Sequence, residues 1–506
     1  MTTDPRRVPV IVGVADLRSG RAGHPAPPIE PLELVLRAAR EAVDDSGVPA
    51  LSTRLDAIHA IRTTSWAYDD LPSLVAEALG STLRSRSTSA IGGHYPAMLL
   101  DRIGSDIADG TTDVALLIGA EAQASVKAAT KAGTDPATLG WVCEPGGPPT
   151  FGDDDLGSAP MQRAGILAPV QIYPLFENGR SHARGVSPAA TRQESAELYA
   201  RFSAVAAGHP VAWSPEERTA ERIASVDASN RAVSDCYPLA MNAMPFVDQA
   251  AAVLVCSLAV AREMDVDESR LIYLWGGAGA SDTSDVLSRT SFDFSPALRS
   301  AVRRTLSQAG ITASDLAFVD AYSCFPVVPK LLMDELQRSG GLTPTVLGGH
   351  SFFGGPLSSY SLHAVAETTR LLRHSPDVAM VHANGGYLTH QHTVLLAGTA
   401  HVDGYVGDPA HEDPPTTGVE IATGYSGPAT IETATVMYGR DGEPETALVV
   451  AKTPKGQRVA GRTDANFAVV LAGLIVDDDI SPVGLSIQVS DHDGVLSAAV
   501  HEGELR

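Results

Sequence analysis

Three titratable side chains lie beside turns where a protein can hold a reactive group. His94 precedes Tyr95-Pro96, His350 leads into Gly354-Gly355-Pro356, and Tyr322 lies in Asp320-Ala-Tyr-Ser-Cys-Phe325. The positive end of a helix dipole would keep the His94 imidazole neutral. Imidazole and phenol groups can both move protons in catalysis. For the two histidines, simple loop residues bonded to backbone are the plainer alternative.

Cysteine and histidine spacing argues against other common chemistries. The chain has four cysteines and no Cys-x-x-Cys pair, which favours reduced thiols over a disulfide framework. Cys324 lies next to Tyr322, but its neighbours supply no base, so we interpret it as a packed core thiol. His382, His390 and His392 are irregularly spaced and lack a carboxylate partner, so no metal site is predicted.

An internal repeat supplies the elements that must position these residues. Residues 29–47 and 295–310 both show apolar residues at helical spacing and end on glycine, and each precedes a short apolar strand. Pro96 and Pro356 then each open a predicted helix that leads to a strand. Gly47 and Asp113 are 66 residues apart, and Gly310 and Asp377 are 67 apart. Two similar α/β halves are therefore predicted, although two unrelated α/β domains remain the alternative.

Strands that alternate with helices imply sheets flanked by helices, with helix starts gathered at one edge. Two such halves face to face would bring the Pro96 and Pro356 helix starts to a shared centre. Helix starts offer free amide donors, which suit a thioester oxygen or a phosphate.

The remaining sequence divides into an insert and a C-terminal domain. Between the halves, 134–160 is predicted to be irregular loop and 187–207 a helix, before the chain returns through a buried strand at 244–255. The C-terminal part is β-rich, with a hairpin turn at Gly439–Gly442, and has the size of a small all-β, OB-like barrel. The predicted bounds are a first half over 1–125 and 244–268, an inserted loop domain over 126–243, a second half over 269–405, a linker over 406–418 and a β domain over 419–506.

Charge and hydropathy limit the kinds of partner that we expect this chain to bind. The net charge is −23, so a nucleic-acid surface is not expected. An acidic chain can still bind an anionic ligand in a local amide-lined pocket. No signal-peptide pattern and no apolar run of about 20 residues is present, so we expect a cytoplasmic protein without a membrane span.

With these segments in view, the chain resembles the thiolase superfamily, and most closely the bacterial thiolase-like proteins type 1. These proteins carry an additional C-terminal domain and are often described as acetyl-CoA acetyltransferases. The resemblance spans essentially the whole chain. It is carried by the segments 92–96, 173–178, 230–231, 237–242, 353–356 and 384–389.

The resemblance implies a site whose usual residues are substituted. Thiolase chemistry needs a cysteine thiolate at a helix start, an activating histidine, a second cysteine and an oxyanion hole. The nucleophile position falls within Ile91–Gly93, so Gly92 and Gly93 stand where a cysteine is expected. Gly355 replaces the histidine and Ala383 replaces the second cysteine, while Tyr322 stands at the Asn or His of the oxyanion motif. Ordinary thiolysis is therefore not expected.

The resemblance also implies a ligand and leaves three interpretations open. The ligand is a coenzyme A thioester, with no covalently bound cofactor, in a pocket predicted to include Gly354, Asn384, Gly385 and Gly386. The first interpretation is an acyl-CoA-binding protein of the acetyl-CoA acetyltransferase type. The second is a non-covalent aldolase or lyase on a β-hydroxyacyl-CoA that uses Tyr322 with His94 or His350. The third is a non-catalytic acyl-CoA-binding or lipid-binding scaffold whose β domain recruits a protein partner.

Overall fold

The first half alternates strands with amphipathic helices that cover a sheet. The computed structural model describes residues 4–142, 157–338, 341–412 and 418–500. Pro31 occupies the first turn of the first long helix, Leu34 and Ala38 face the sheet, and Gly47 ends it with φ of 75°. The elements of this half are β1 (Pro9–Arg18), α1 (Pro31–Asp45), β2 (Ala57–Ala60), α2 (Leu71–Leu79), β3 (Ser85–Thr88), α3 (Tyr95–Asp109), β4 (Val114–Ala122) and α4 (Gln123–Lys131).

The insert is mostly helical where it is described. It contains α5 (Ala159–Ala164), α6 (Pro169–Ala183), α7 (Pro188–Gly208) and α8 (Ala220–Ala224), followed by β5 (Asp248–Ser257) and α9 (Leu258–Glu263). The helix predicted over 187–207 corresponds to α7, which Ser187 caps by accepting from the Ala190 amide. Residues 143–156 of the predicted loop, including Cys143, lie outside the described residues.

The second half repeats the pattern of the first. Ser295 caps its first helix by accepting from the Leu298 amide, and Gly310 follows the helix with φ of 62°. Its elements are β6 (Ile272–Ser281), α10 (Pro296–Gln308), β7 (Leu316–Asp320), α11 (Val327–Glu335), α12 (Gly349–Phe352), α13 (Tyr360–Leu372), β8 (Val378–Gly385), β9 (His390–Ala397) and β10 (Asp408–Glu412).

Both halves share one mixed sheet. Its order is β3-β2-β4-β5-β1-β6-β9-β8-β7, and the halves meet where β1 pairs with β6. Reading outward from that junction, β1-β5-β4-β2 in one half matches β6-β9-β8-β7 in the other. The predicted α/β duplication is confirmed. Among the described residues, no helix combines the length and apolar character needed to cross a bilayer.

Two local predictions differ from the structure. Pro356 does not begin a long helix: it precedes a single 3₁₀ turn in which Leu357 has φ of 43°, and α13 starts at Tyr360. The segment 406–418 is not simply a linker, because β10 lies parallel to β6 in the large sheet. Arg304 on α10 binds the Asp408 carboxylate at 2.6 Å, which holds this strand against the body. Residues 413–417 of the segment lie outside the described residues.

The C-terminal region is a closed five-stranded barrel. Its elements are β11 (Ser426–Tyr438), β12 (Pro444–Lys452), β13 (Arg458–Thr463), α14 (Ala465–Ala472), β14 (Ser486–His492) and β15 (Val495–Val500). The strand order β11-β12-β13-β15-β14, with a helix between the third and fourth strands, fits the predicted OB-like Greek-key barrel. The predicted hairpin turn joins β11 to β12, where the Gly439 amide donates to the Glu443 carbonyl.

The barrel docks on the body through buried polar contacts. Thr433 donates its hydroxyl to the Leu175 carbonyl at 2.7 Å, and Asn178 on α6 donates to the Ala434 carbonyl at 2.7 Å. The Val436 amide donates to Asp235 at 2.9 Å. Strand β11 therefore lies directly against α6, and the first residue of this helix, Pro169, lines the cavity described below.

Candidate functional site

The predicted site segments converge on one cavity of about 670 Å³. Backbone comes from the segment before α3, side chains come from the ends of β7 and β8, and the start of α6 closes one wall. Eight of the sequence-predicted residues line it: Gly92, Gly93, Tyr322, His350, Gly355, Asn384, Gly385 and Gly386. His94, Gly354 and Ala383 are not among the residues that line it. The two halves thus meet at a common centre, as the repeat implies.

A phenol fills the space that a side chain at Gly93 would occupy. A Cβ added to Gly93 would overlap the Tyr322 hydroxyl and lie 2.5 Å from the Asn384 carbonyl oxygen. Tyr322 is 8% exposed, and no hydrogen-bond partner for its hydroxyl is found within the described residues. Burial, and then the proximity of Cys324, raises the Tyr322 pKa above its ordinary value. The phenol is therefore protonated and available to donate into the cavity.

His350 is a neutral imidazole packed between two tyrosines. Its ring centroid lies 3.6 Å from that of Tyr360 and 4.2 Å from that of Tyr322. The Ser323 amide donates to Nδ1 at 3.3 Å, so the ring proton belongs on Nε2. Nε2 is buried and has no partner among the described residues, and burial lowers the His350 pKa well below its usual range. His350 therefore presents an N–H donor and is a poor base.

His94 is not among the residues that line the cavity, and its predicted catalytic role stays a prediction. Its ring centroid lies 4.2 Å from that of Tyr95 and 4.6 Å from that of His390. A Cβ added to Gly385 would overlap His94 Nδ1, so the ring lies directly behind the Gly385 backbone. The chain turns helical at His94 itself, with φ −79° and ψ −20°, which directs the side chain into the packing between the two halves. Sequence position before a helix could not reveal that direction.

Tyr173 on α6 is a cavity residue that the sequence argument missed. Its hydroxyl donates to the Gly386 carbonyl at 2.9 Å and accepts from the Asn384 side-chain amide at 2.9 Å. Asn384 Oδ1 in turn accepts from Gln391 at 2.6 Å. This network holds the turn after β8 against α6. The only hint in the sequence is that Tyr173 begins one of the segments that resemble the family. Its role depends on a contact with a residue about 210 positions further along the chain.

Cys324 lines the cavity, so it is not simply a core thiol. Its side chain is partly exposed, and burial raises its pKa to about 12. A thiol with such a pKa is almost entirely protonated near neutral pH, when it is a weak nucleophile. Ala383, which we predict to stand at the second cysteine position, is fully buried in β8. Gly354 has φ of 120°, and a Cβ there would lie 2.5 Å from Gln249 Oε1.

A buried carboxyl lies behind another part of the wall. Glu121, at the end of β4, accepts from the Thr64 amide and hydroxyl, both at 2.8 Å, and from the Ser65 amide at 2.9 Å. Thr64 and Gln123 line the cavity, whereas Glu121 is 1% exposed. Burial raises the Glu121 pKa to about 7, although the hydrogen bonds oppose the shift. Sequence analysis did not identify this group, because a glutamate near a strand end is ordinary.

The described residues contain no group of three or more histidine, cysteine or acidic side chains placed to hold a metal ion. His382 instead contacts Gln391 at 2.8 Å, and His392 contacts Asp101 at 3.0 Å. The cavity chemistry is thus that of neutral donors, with Tyr322 and His350 as its central pair. Such a pair can bind and polarise a carbonyl oxygen.

Paired α/β halves on one sheet, with a cavity between them, define the thiolase superfamily. Residues 412–494 match a family model described as the thiolase-like protein type 1 additional C-terminal domain. A crystal structure of a monomeric SCP2-thiolase-like protein type 1 from Mycobacterium smegmatis is 30% identical, with a TM-score of 0.80, and the match covers 99% of this chain and 100% of that chain. The chain therefore belongs to the SCP2-thiolase-like proteins type 1.

Two more distant structures share the fold of the main body. An Ltp2-ChsH2(DUF35) aldolase is 20% identical with a TM-score of 0.59, covering 78% of this chain and 99% of that chain. The acetyl-CoA acetyltransferase from Syntrophomonas wolfei is 16% identical with a TM-score of 0.57 and the same coverage. At these identities the likeness shows the fold alone. No curated protein matches the sequence.

Proposed function

We propose that the cavity binds a coenzyme A thioester without forming an acyl-enzyme. The observation that carries the proposal is the protonated Tyr322 hydroxyl at the cavity wall, with the neutral His350 ring packed against the phenol and its Nε2 without a partner among the described residues. Leaving a buried donor such as His350 Nε2 unsatisfied costs about 1–3 kcal/mol. In the proposed complex, a ligand acceptor bound to the Tyr322 hydroxyl also accepts from this nitrogen and recovers that free energy. A thioester carbonyl oxygen is such an acceptor.

The remaining wall fits the same ligand. Leu167, Val170 and Leu357 give the cavity an apolar part that suits an acyl chain, while Asn384 and Gln123 add polar groups. The Gly93 backbone lies beneath the Tyr322 hydroxyl, so no side chain at that position could attack the thioester. Cys324 is protonated by virtue of its raised pKa. Thiolysis through a covalent intermediate is therefore not part of the proposal.

The test compares ligands that differ only at the carbonyl. Calorimetry is performed with acetyl-CoA, longer acyl-CoAs and the matched S-alkyl-CoA thioethers, which keep the nucleotide and chain but lack the thioester oxygen. We expect the thioesters to bind about tenfold more tightly, the contribution of one or two hydrogen bonds. Mass spectrometry should find no acylated cysteine after incubation. Equal affinity for both ligand series would overturn the proposed carbonyl recognition.

A second candidate, retro-aldol cleavage of a β-hydroxyacyl-CoA, is favoured by the protonated phenol in the cavity. In this reaction the bond between the α and β carbons breaks and the β-hydroxyl becomes a carbonyl. As that bond breaks, the β-hydroxyl passes its proton to the Tyr322 oxygen while the phenol passes its own proton to the α-carbon, so the tyrosine ends the step protonated. His350 Nε2–H would hold the enolate oxygen. Incubation with β-hydroxyacyl-CoAs should then release a shorter acyl-CoA and an aldehyde or ketone in equal amounts.

A further inference from the structure

The barrel reaches the cavity through two buried arginines in series. Arg458 on β13 is fully buried and binds Glu432 on β11 through two nitrogens, each at 2.6 Å. Its third nitrogen leaves the barrel and donates to the Leu287 carbonyl at 2.6 Å and to the Arg289 carbonyl. Charge-assisted contacts of this kind are stronger than neutral hydrogen bonds. The barrel therefore fixes the backbone of the 287–289 segment.

Arg289 continues the connection to the cavity wall. Its guanidinium is 2% exposed and donates to the Tyr387 carbonyl at 2.6 Å and to the Thr389 hydroxyl at 3.0 Å. It also donates to the Thr283 carbonyl at 2.7 Å. Tyr387 lines the cavity and Thr389 follows it in the turn after β8, so a single planar cation holds this turn to the Thr283 loop.

The end of this chain of contacts forms part of the ligand pocket. Gly386 and Tyr387 line the cavity, and the Tyr387 hydroxyl donates to the Leu167 carbonyl on the opposite wall. The Thr389 hydroxyl accepts from the Tyr387 amide at 3.2 Å. The turn therefore bridges the cavity from β8 to the start of α6, with Arg289 bound to its backbone from behind.

An aromatic pair packs between the two arginines. Arg289 Cζ lies 5.7 Å from the Phe176 ring centroid, and Arg458 Cζ lies 5.1 Å from that of Phe292. The two rings pack against each other at 5.3 Å. Both cations thus pack on buried rings, which favours Arg over Lys at each position.

We propose that Arg458 and Arg289 are positioning residues for the ligand cavity, through which the C-terminal barrel fixes the 385–389 turn. The barrel is then a structural part of the site. Only the expected change in acyl-CoA affinity rests on the proposed function. The order of the 385–389 turn can be measured in the protein without ligand.

The experiment measures backbone amide exchange in the full-length protein without ligand. In Arg458→Met, fragments containing residues 385–389 should exchange roughly tenfold faster. The substitution removes a charge-assisted hydrogen bond, whose free energy is enough for a tenfold change in local opening. Arg373→Met is the matched control: Arg373 also binds a carboxylate bidentately, Asp45, but between elements remote from this turn. Equal acceleration at 385–389 in both variants would mean a general loss of stability and would overturn the proposal.

Three further variants keep the test decisive. Arg289→Lys should accelerate exchange at 385–389 while leaving barrel fragments unchanged, and it serves alone if Arg458→Met does not fold. The double variant should add little at the turn, because residues in series are not additive. Arg458→Lys should restore part of the protection. In each variant whose turn is loosened, longer acyl-CoAs should bind several-fold more weakly. If the parent binds no acyl-CoA, the proposed function fails while the exchange data still decide the role of the arginines.

Discussion

The two halves of the body share one strand order but contribute different chemistry to the cavity. The first half contributes the backbone of Gly92 and Gly93 and the polar side chains of Thr64 and Gln123, and none of its described lining residues is titratable. The second half contributes the hydrogen-bonding side chains of Tyr322, His350 and Asn384. Repeated packing thus preserves a scaffold, whereas the residues at strand ends and helix starts set the chemistry of each half.

Both halves also bury one carboxyl at the end of a strand, but they satisfy it differently. Glu121 after β4 accepts three hydrogen bonds. Asp320, at the end of β7, accepts from the Thr345 hydroxyl at 3.0 Å and from the Val346 amide at 2.9 Å on one oxygen, and its other oxygen has no partner among the described residues. Burial raises the pKa of each carboxyl to about 7. These differences make the comparison testable.

The largest expected effect is on chemistry contributed by the second half. If the protein cleaves β-hydroxyacyl-CoAs, Tyr322→Phe should lower the turnover number by about 10²–10⁴-fold, because the proton donor is removed. Acyl-CoA affinity should change little. Tyr360→Phe is the matched control, since this phenol packs behind His350 and does not line the cavity. An equal loss of turnover in both variants would assign Tyr322 to packing only.

The two buried carboxyls should make stability fall as pH rises. Because each pKa is raised, the folded protein holds a proton that the unfolded chain has already released between about pH 4 and 7. The contribution of these two groups to stability should therefore decline across this window, by on the order of 3 kcal/mol for each group, while buried histidines with lowered pKa values, such as His350, contribute in the opposite direction. Urea unfolding from pH 5 to 7.5 tests this prediction. In Glu121→Gln and Asp320→Asn the unfolding free energy should fall less, or rise more, with pH than in the parent, and a slope unchanged from the parent would refute the assigned shift.

A third prediction compares the glycines that precede the two helix starts. A Cβ at Gly93 would overlap both the Tyr322 hydroxyl and the Asn384 carbonyl oxygen, whereas a Cβ at Gly355 would lie 3.2 Å from the Met244 carbonyl oxygen at its nearest. Gly93→Ala should cost about 1–3 kcal/mol of unfolding free energy by overpacking. Gly355→Ala should cost less than half as much. Denaturant unfolding checks the order, and Gly93→Cys should likewise destabilise without creating thiolase activity.

The smallest expected effect is the loss of thioester affinity when His350, the second hydrogen-bond donor, is replaced. His350→Phe keeps the ring between Tyr322 and Tyr360 but removes the Nε2 donor. Thioester affinity should fall by about 2–12-fold, the worth of one neutral hydrogen bond. Affinity for the matched thioether should not change. If both ligands lose affinity equally, the ring acts by shape and not by donating to the carbonyl.

The sequence by itself determined the duplicated scaffold. Matched glycine stops after α1 and α10, apolar strands and near-equal spacings predict the two halves, because helix caps and hydrophobic periodicity are local properties. The OB-like barrel follows from alternating strands and a glycine turn. The same local signals predicted a start for α13 that is one turn too early, because nothing in the sequence indicates the positive φ of Leu357.

Only the tertiary structure decided which residues meet at the site. Sequence adjacency to a helix start suggested His94 and His350 equally, yet one ring lies behind Gly385 and the other lines the cavity. Tyr173 joins Asn384 from a separate helix, and Arg458 acts on the cavity wall from a separate domain. Side-chain direction and long-range contact depend on how the helices and the barrel pack on the shared sheet, and no local pattern encodes that arrangement.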